Sequence, residues 1–150
     1  MSEREIALDP PPGYLESNPR GAFSQHNGPF FFKREGEDFR LGFRVLQRHC
    51  NSYGVVHGGM VMTFADRLLA TAVALKAPQR MLTVRMTTDF IGMARAGDWV
   101  EGRGRVTRAG RSLVFVEGTA EVLGGRPIFT ASGVFKVFER RGSRARSKES

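Results

Sequence analysis

Hydrophobic and polar residues alternate over most of the chain, and the alternation predicts a β-sheet that is interrupted once. Between Phe39 and Val45 every second residue is apolar, which is the period of a half-buried antiparallel strand. The same period returns between Leu82 and Phe90 and in the segments that follow. We predict strands over residues 30–34, 39–47, 82–90, 99–107, 112–123 and 127–139.

The interruption is a segment whose apolar residues return at helical spacing, and it predicts one long helix over residues 58–77. Most of the remaining positions in this segment are also apolar, which is typical of a helix that is buried on all sides. Thr63, Asp66 and Arg67 interrupt the apolar run, so it falls short of the roughly 18 residues that span a bilayer. Pro78 predicts the end of the helix.

One helix among six strands excludes an alternating parallel sheet, because such a sheet needs a helix between successive strands. The pattern therefore predicts an α+β fold, in which an antiparallel sheet of about six strands wraps one long buried helix and the last four strands form a meander. Such a sheet leaves a face and two edges to cover. A dimer that joins two sheets edge to edge is expected to cover them.

The two ends of the chain differ from this central domain, which we place at residues 30–139. Residues 1–29 are rich in proline, which favours an extended arm laid on the domain and anchored by Phe23 and Phe30–Phe32; a disordered leader is the alternative. Residues 140–150 contain basic and small polar residues and nothing apolar larger than alanine. We expect this tail to be disordered.

The net charge of +8 does not by itself indicate a nucleic-acid partner. Half of it lies in the tail, which has five basic residues and one acidic residue. The rest suits an anionic small molecule as well as nucleic acid. The single cysteine, Cys50, excludes an internal disulfide and a cysteine-based zinc cluster. The N-terminal residues do not have the pattern of a signal peptide, so a cytoplasmic location is expected.

The start of the predicted helix carries the candidate chemistry. Gly58 and Gly59 lie where the backbone N–H groups of a helix are unpaired and where its dipole favours negative charge. A tight turn into the helix is the alternative use of two glycines. Asp66 lies too far into the apolar helix to be a capping residue, and an apolar wall makes a carboxylate a stronger base. Its alternative is a structural ion pair, for which the adjacent Arg67 points the wrong way.

These residues have a specific spacing. Asn51 and Gly54 precede His57-Gly58-Gly59, and Asp66 follows the histidine by nine residues. The pattern resembles the signature of hotdog-fold acyl-CoA thioesterases of the PaaI-like type. The resemblance implies hydrolysis of an acyl- or aryl-acyl-CoA thioester to a free acid and coenzyme A, without a metal or organic cofactor. It also implies a homodimer, or a homotetramer built as a dimer of dimers.

The resemblance implies a role for each residue of the motif. The Gly58 amide polarises the thioester carbonyl, while Asp66 activates water or attacks the acyl carbon in a site shared with the partner subunit. Asn51 helps to hold the carbonyl or the water, and the His57 side chain braces the loop. Thr83 corresponds to a residue that hydrogen-bonds the water, although a threonine on a strand is also an ordinary strand former.

The resemblance also implies a substrate-binding set. Gly59 lies at the helix start, and the basic turn with Arg108, Arg111 and Ser112 corresponds to the family's coenzyme A contact region; a solvated basic turn is the alternative. A non-catalytic module that binds acyl-CoA remains an alternative function. A nucleic-acid binder is disfavoured, because the sequence predicts no recognition helix and no aromatic residues interleaved on a basic face. We expect neither a nucleic acid nor a membrane as a partner.

Overall fold

The computed structural model describes residues 5–17, 20–77 and 79–139. In chain order the elements are β1 (Leu15–Ser17), α1 (Ala22–Asn27), β2 (Phe30–Glu35), β3 (Asp38–Arg44), a 3₁₀ turn (Gln47–His49), α2 (Gly58–Lys76), β4 (Arg80–Phe90), β5 (Trp99–Ala109), β6 (Leu113–Val122) and β7 (Arg126–Phe138). The predicted basic tail and Pro78 lie outside the described residues.

The predicted fold class is confirmed, since one antiparallel sheet packs on one long helix. The sheet has seven strands in the order β1-β2-β3-β5-β6-β7-β4. The additional strand is β1, a part of the arm that pairs with β2. The prediction that the last four strands form a meander is wrong, because β4 pairs with β7 at the far edge and leaves β5 to pair with β3. Side-chain alternation marks a strand, but it does not choose the strand's neighbour.

The core lies between α2 and the inner face of the sheet, and small residues let the helix approach closely. A Cβ atom on Gly102 of β5 would lie 2.7 Å from Leu68 Cδ2 and 2.9 Å from the carbonyl oxygen of Thr119. By length and composition α2 resembles a membrane-spanning helix. Its inner face is instead buried in the core through the residues Met60, Val61, Phe64, Ala65, Leu68, Leu69, Ala72 and Val73.

The opposite side of α2 is not covered, which corrects the prediction of a helix buried on all sides. Gly58, Gly59 and Leu75 are exposed, and Asp66 and Arg67 are half-buried. A single sheet can cover only one side of a helix, and the apolar residues on the other side have no cover within the described chain. The uncovered side is therefore where a ligand or a second copy of the chain has access.

The arm is fixed to the outer face of the sheet by a buried polar cluster. The Tyr14 hydroxyl donates to Glu101 Oε2 at 2.5 Å, and Arg40 Nη1 donates to the other carboxylate oxygen at 2.5 Å. Burial, with the Glu101 carboxylate beside it, raises the pKa of the Tyr14 phenol. Phe31 is buried beside this cluster, but Phe23, a predicted anchor, is 66% exposed. Phe23 lies on α1, which does not bury it against the domain.

Phe64 is the residue whose truncation we expect to destabilise the fold most directly. It is fully buried, with the rings of Phe30, Phe43 and Phe129 at centroid distances of 6.3, 4.8 and 6.1 Å. Phe64→Ala leaves a cavity at this junction and should lower the free energy of unfolding by about 3–5 kcal/mol, measured by urea denaturation. The control Phe23→Ala changes an exposed ring and should stay within about 0.5 kcal/mol of the wild type. Equal losses in both variants would contradict this account of the core.

Candidate active site

The loop before α2 is held in place by Asn51. Its Oδ1 atom accepts hydrogen bonds from the backbone N–H groups of Tyr53 at 2.9 Å and Val55 at 3.4 Å. Gly54 supplies the positive φ of +73° that the turn requires. The loop is also tied on both sides, since Val56 N–H donates to Ala94 O and His57 N–H donates to His49 O, each at 2.8 Å. Asn51 therefore fixes the backbone that leads into the helix.

His57 is the N-cap of α2, and it leaves one amide of the first turn unpaired. Its Nδ1 atom accepts from Gly59 N–H at 2.8 Å, and its carbonyl accepts from the N–H groups of Met60 and Val61. Gly58 N–H has no acceptor among the described residues, and Gly58 is exposed. A Cβ atom on Gly59 would lie 3.0 Å from His57 Nδ1, so this glycine makes room for the imidazole.

Asp66 meets Thr83 on the same uncovered side of the helix. The Thr83 hydroxyl donates to Asp66 Oδ1 at 2.7 Å, which brings together two of the residues singled out in the sequence. Asp66 is half-buried, whereas a helix buried on all sides would have buried it fully. The carboxylate forms no ion pair with Arg67 or any other cation among the described residues. It keeps one oxygen that the threonine does not occupy.

The candidate residues form two groups along α2. Asn51, His57 and Gly58 lie at its N-terminal end, where a Cβ atom on Gly58 would be 3.9 Å from the Phe90 ring. Asp66 and Thr83 form the second group. The helix rises about 1.5 Å per residue, so Gly58 and Asp66 are roughly 12 Å apart along its axis. One chain therefore does not place both groups around a single reacting carbonyl.

The predicted coenzyme A contacts lie at the same end of the sheet as Thr83, which belongs to the second group. Arg108 is near the end of β5, which continues through Ala109, while Arg111 and Ser112 form the turn to β6. The strand register aligns Leu113 with Lys136, and Lys136 with Leu82, next to Thr83. Two strand spacings separate this turn from β4, or about 10 Å. Arg108, Arg111 and Ser112 are exposed there.

A groove of about 370 Å³ opens beside Asp66, and most of its walls consist of residues that the sequence analysis did not single out as candidates. It is lined by Phe23, Ser24, Thr63, Asp66, Arg67, Ala70, Thr71, Ala74 and Met81. The helical members follow the spacing of three and four residues that defines one face of α2. Phe23 was predicted only as an anchor of the arm, and the structure places it in the groove wall instead. A larger groove of about 520 Å³ on the outer face of the sheet has none of the candidate residues in its walls.

Two basic side chains near the site, Arg67 and His49, have a lowered pKa. Burial lowers the pKa of Arg67, which lines the groove, and of His49, whose carbonyl holds the loop. His49 has both ring nitrogens engaged, with Leu46 N–H at 3.0 Å and Asn27 O at 2.7 Å. Among the described residues no group of three His, Cys, Asp or Glu side chains could hold a metal ion.

Comparison with known proteins assigns the family. A sequence model described as the thioesterase superfamily matches residues 53–128, which include most of the loop before α2 and the whole of α2 and β4. A Pseudomonas aeruginosa protein named as a candidate esterase, PA0474, is 39% identical over 113 residues, or 73% of this chain and 84% of that protein. The chain belongs to the thioesterase superfamily. Membership makes hydrolysis of an ester or a thioester its class of activity.

Solved structures confirm the hotdog fold of this superfamily member. Escherichia coli PaaI, from the phenylacetic acid degradation operon, superposes with a TM-score of 0.69 at 17% identity, over 80% of this chain and 86% of its own. A hypothetical thioesterase protein from Streptococcus pneumoniae TIGR4, solved with coenzyme A, has a TM-score of 0.67 at 17% identity, over 73% of this chain and 85% of its own. The predicted PaaI-like hotdog fold is therefore confirmed.

Proposed function

We propose that this thioesterase superfamily member hydrolyses acyl-CoA thioesters to a free acid and coenzyme A. The observation that carries the proposal is Asp66, a carboxylate that is hydrogen-bonded to Thr83 and lines a groove with both polar and apolar walls. A groove of this kind suits an acyl group, while the carboxylate suits the water that attacks it. The relative from Streptococcus pneumoniae that was solved with coenzyme A supports the choice of thioester.

In the proposed reaction each residue has a distinct task. The unpaired Gly58 N–H donates to the thioester oxygen and stabilises the negative charge that develops on it. Asp66 accepts a proton from water while the water oxygen bonds to the acyl carbon. The carbon–sulfur bond then breaks, and the proton passes to the sulfur of coenzyme A. Thr83 holds the Asp66 carboxylate in position, while Asn51 and His57 keep the loop and the first helical turn in place.

We propose that a second copy of the chain completes this site, because Gly58 and Asp66 of one chain are too far apart. β4 is an edge strand with exposed apolar side chains, including Leu82 at 62%, Val84 at 59% and Phe90 at 57% exposure. Antiparallel pairing of β4 with its copy, about a two-fold axis between the two Thr87 residues, places Thr83 opposite the partner's Phe90, because β4 has a bulge between Thr83 and Arg85. Since Phe90 lies beside Gly58, this pairing brings Asp66 towards the partner's Gly58.

Charge on the β4 edge is expected to separate the proposed dimer. In the pairing above, Val84 lies in the bulge, between the residues opposite the partner's Phe90 and Asp89. Val84→Glu therefore places a carboxylate near Asp89 and removes an apolar side chain at each of two symmetry-related positions. We expect dimerisation to weaken at least about a hundredfold, measured by analytical ultracentrifugation. Leu123→Glu is the matched control, since Leu123 is equally exposed but lies in the β6–β7 turn. A wild-type chain that is monomeric at micromolar concentration would refute the shared site.

The direct test of the activity is a panel of aryl-acyl, medium-chain and long-chain acyl-CoA esters with detection of the free thiol. We expect turnover of at least one class, with release of one thiol for each acid formed. Arg108 and Arg111 are proposed to bind the phosphates of coenzyme A, so raised salt should increase KM more than it changes kcat. Tight binding of acyl-CoA without any turnover would instead identify a non-catalytic binding module.

A further inference from the structure

Arg67 forms part of the groove wall next to Asp66, and its guanidinium is held in place. The group lies over the Phe30 ring, 4.8 Å from the ring centroid, and Nη2 donates to Ser17 Oγ at 2.7 Å. The ring belongs to β2 and the hydroxyl to β1, so two elements outside α2 fix this side chain. An arginine that is already ordered loses little further entropy when it binds a ligand.

This cation has no anionic partner among the described residues. The ion pairs there involve Lys33, Arg40, Arg105 and Arg126, and none of them involves Arg67. Its Nε atom is buried without a hydrogen-bond acceptor, and burial lowers the pKa of the side chain. A half-buried charge without a partner costs free energy, which an incoming anion would offset.

Asp66 does not neutralise Arg67, although it is the preceding residue. Neighbouring residues on a helix point in different directions, and the Asp66 carboxylate is oriented towards Thr83. The apolar part of the groove continues along the helix past Ala70 and Ala74, with Met81 and Phe23 opposite. The groove therefore combines a reacting end at Asp66, an apolar wall and one unpaired guanidinium.

We propose that Arg67 selects acyl groups that carry a carboxylate at the end remote from the thioester. This inference rests on the proposed thioesterase activity. The planar guanidinium matches a carboxylate, and the apolar side chains of the groove offer contacts to the methylene groups of the acyl chain. We do not assign the phosphates of coenzyme A to Arg67, because the basic residues proposed to bind them, Arg108 and Arg111, lie outside this groove. The substrate class is thus the mono-CoA ester of a dicarboxylic acid.

The test compares esters that differ only at the end of the chain. Wild-type kcat/KM is measured for adipyl-CoA against hexanoyl-CoA and for suberyl-CoA against octanoyl-CoA. We expect the carboxylate-ended ester to be preferred in at least one pair by about tenfold or more, the effect of one hydrogen bond to a charged group. A free dicarboxylate should also inhibit the wild type more strongly than the monocarboxylate of equal length. Neither measurement needs a variant.

Variants then assign the preference to Arg67. Arg67→Met keeps roughly the length of the side chain and should remove the preference, through a KM that rises more for the carboxylate-ended ester than for the methyl-ended ester. Arg67→Lys should retain part of the preference because the charge remains. Arg34→Met is the control, since Arg34 is exposed on β2, outside the groove, and this change should leave the ratio unaltered.

The possible outcomes separate the inference from the function on which it rests. Turnover of the methyl-ended esters without a preference for either carboxylate-ended ester would overturn the role of Arg67 and leave the thioesterase in place. A preference that persists in Arg67→Met would overturn it too. A loss of turnover on both esters in Arg67→Met would show a structural role instead. If the wild type hydrolyses no ester of any kind, the proposed function itself fails.

Discussion

Asp66→Asn is expected to lower kcat for acyl-CoA hydrolysis by about 10²–10⁴-fold, because the amide cannot accept a proton from the attacking water. The substitution is nearly isosteric, and the Asn carbonyl oxygen can still accept the hydrogen bond from Thr83. The KM for acyl-CoA should therefore change little. Steady-state kinetics with thiol detection measures both quantities, and thermal unfolding checks that the variant is folded.

Asp38→Asn is the matched control for this experiment. Asp38 is exposed at the start of β3, outside the groove and away from the β4 edge. This substitution removes the same charge from the surface and should leave kcat within about twofold, as expected of a surface change. A fully active Asp66→Asn enzyme would remove the carboxylate from the mechanism, whichever step it was assigned to.

Gly58→Pro is expected to lower kcat by about 10²–10³-fold, because proline has no N–H with which to stabilise the thioester oxygen. The fold should tolerate the change. Gly58 is the first residue of α2, where proline is favoured, and His57 already has the extended conformation that precedes proline, at φ −65° and ψ 140°. Gly58→Ala keeps the amide and adds a Cβ atom at an ordinary contact distance of 3.9 Å from Phe90.

Comparison of Gly58→Ala with Gly58→Pro separates the effect of losing the N–H group from the effect of losing glycine. Gly58→Ala should stay within severalfold of wild-type activity, and similar losses in both variants would point to backbone geometry rather than to the N–H group. Mixing Gly58→Pro with Asp66→Asn then tests the shared site. Mixed dimers have one site with both groups intact, so random exchange should restore about a quarter of wild-type activity. No recovery after verified exchange would place both groups in one chain.

Much of the fold was predictable because it depends on local patterns. Apolar patterns, most of them with a period of two, identified six of the seven strands, and the helical period identified α2 within about one residue at its C-terminal end. Only the short strand β1 was missed, since proline-rich flanks hide it and three residues are too few to show a period. The family motif was equally legible, because His57, Gly58 and Gly59 act through the backbone at the start of one helix.

The pairing of strands and the composition of the groove were not predictable in this way. Partners that are distant in sequence decide them: β4 lies beside β7 rather than β5, and Phe23 of α1 faces the same groove as Asp66. From the sequence, Arg67 was considered only as an ion-pair partner for Asp66, and as a poor one. Its contacts with Phe30 and Ser17 come from strands about 37 and 50 residues earlier, which no local pattern reports.

By itself, the sequence determined that this chain forms a sheet around one apolar helix and that the helix begins in a His-Gly-Gly motif with a carboxylate two turns on. Periodicity and spacing are local properties, so they can be detected in the sequence without the structure. The tertiary structure decided that one side of the helix is uncovered, that Asp66 meets Thr83 there, and that Gly58 is roughly 12 Å away along the helix. Distances between elements depend on how the elements pack, and that packing is the basis for the proposal that a second chain completes the site.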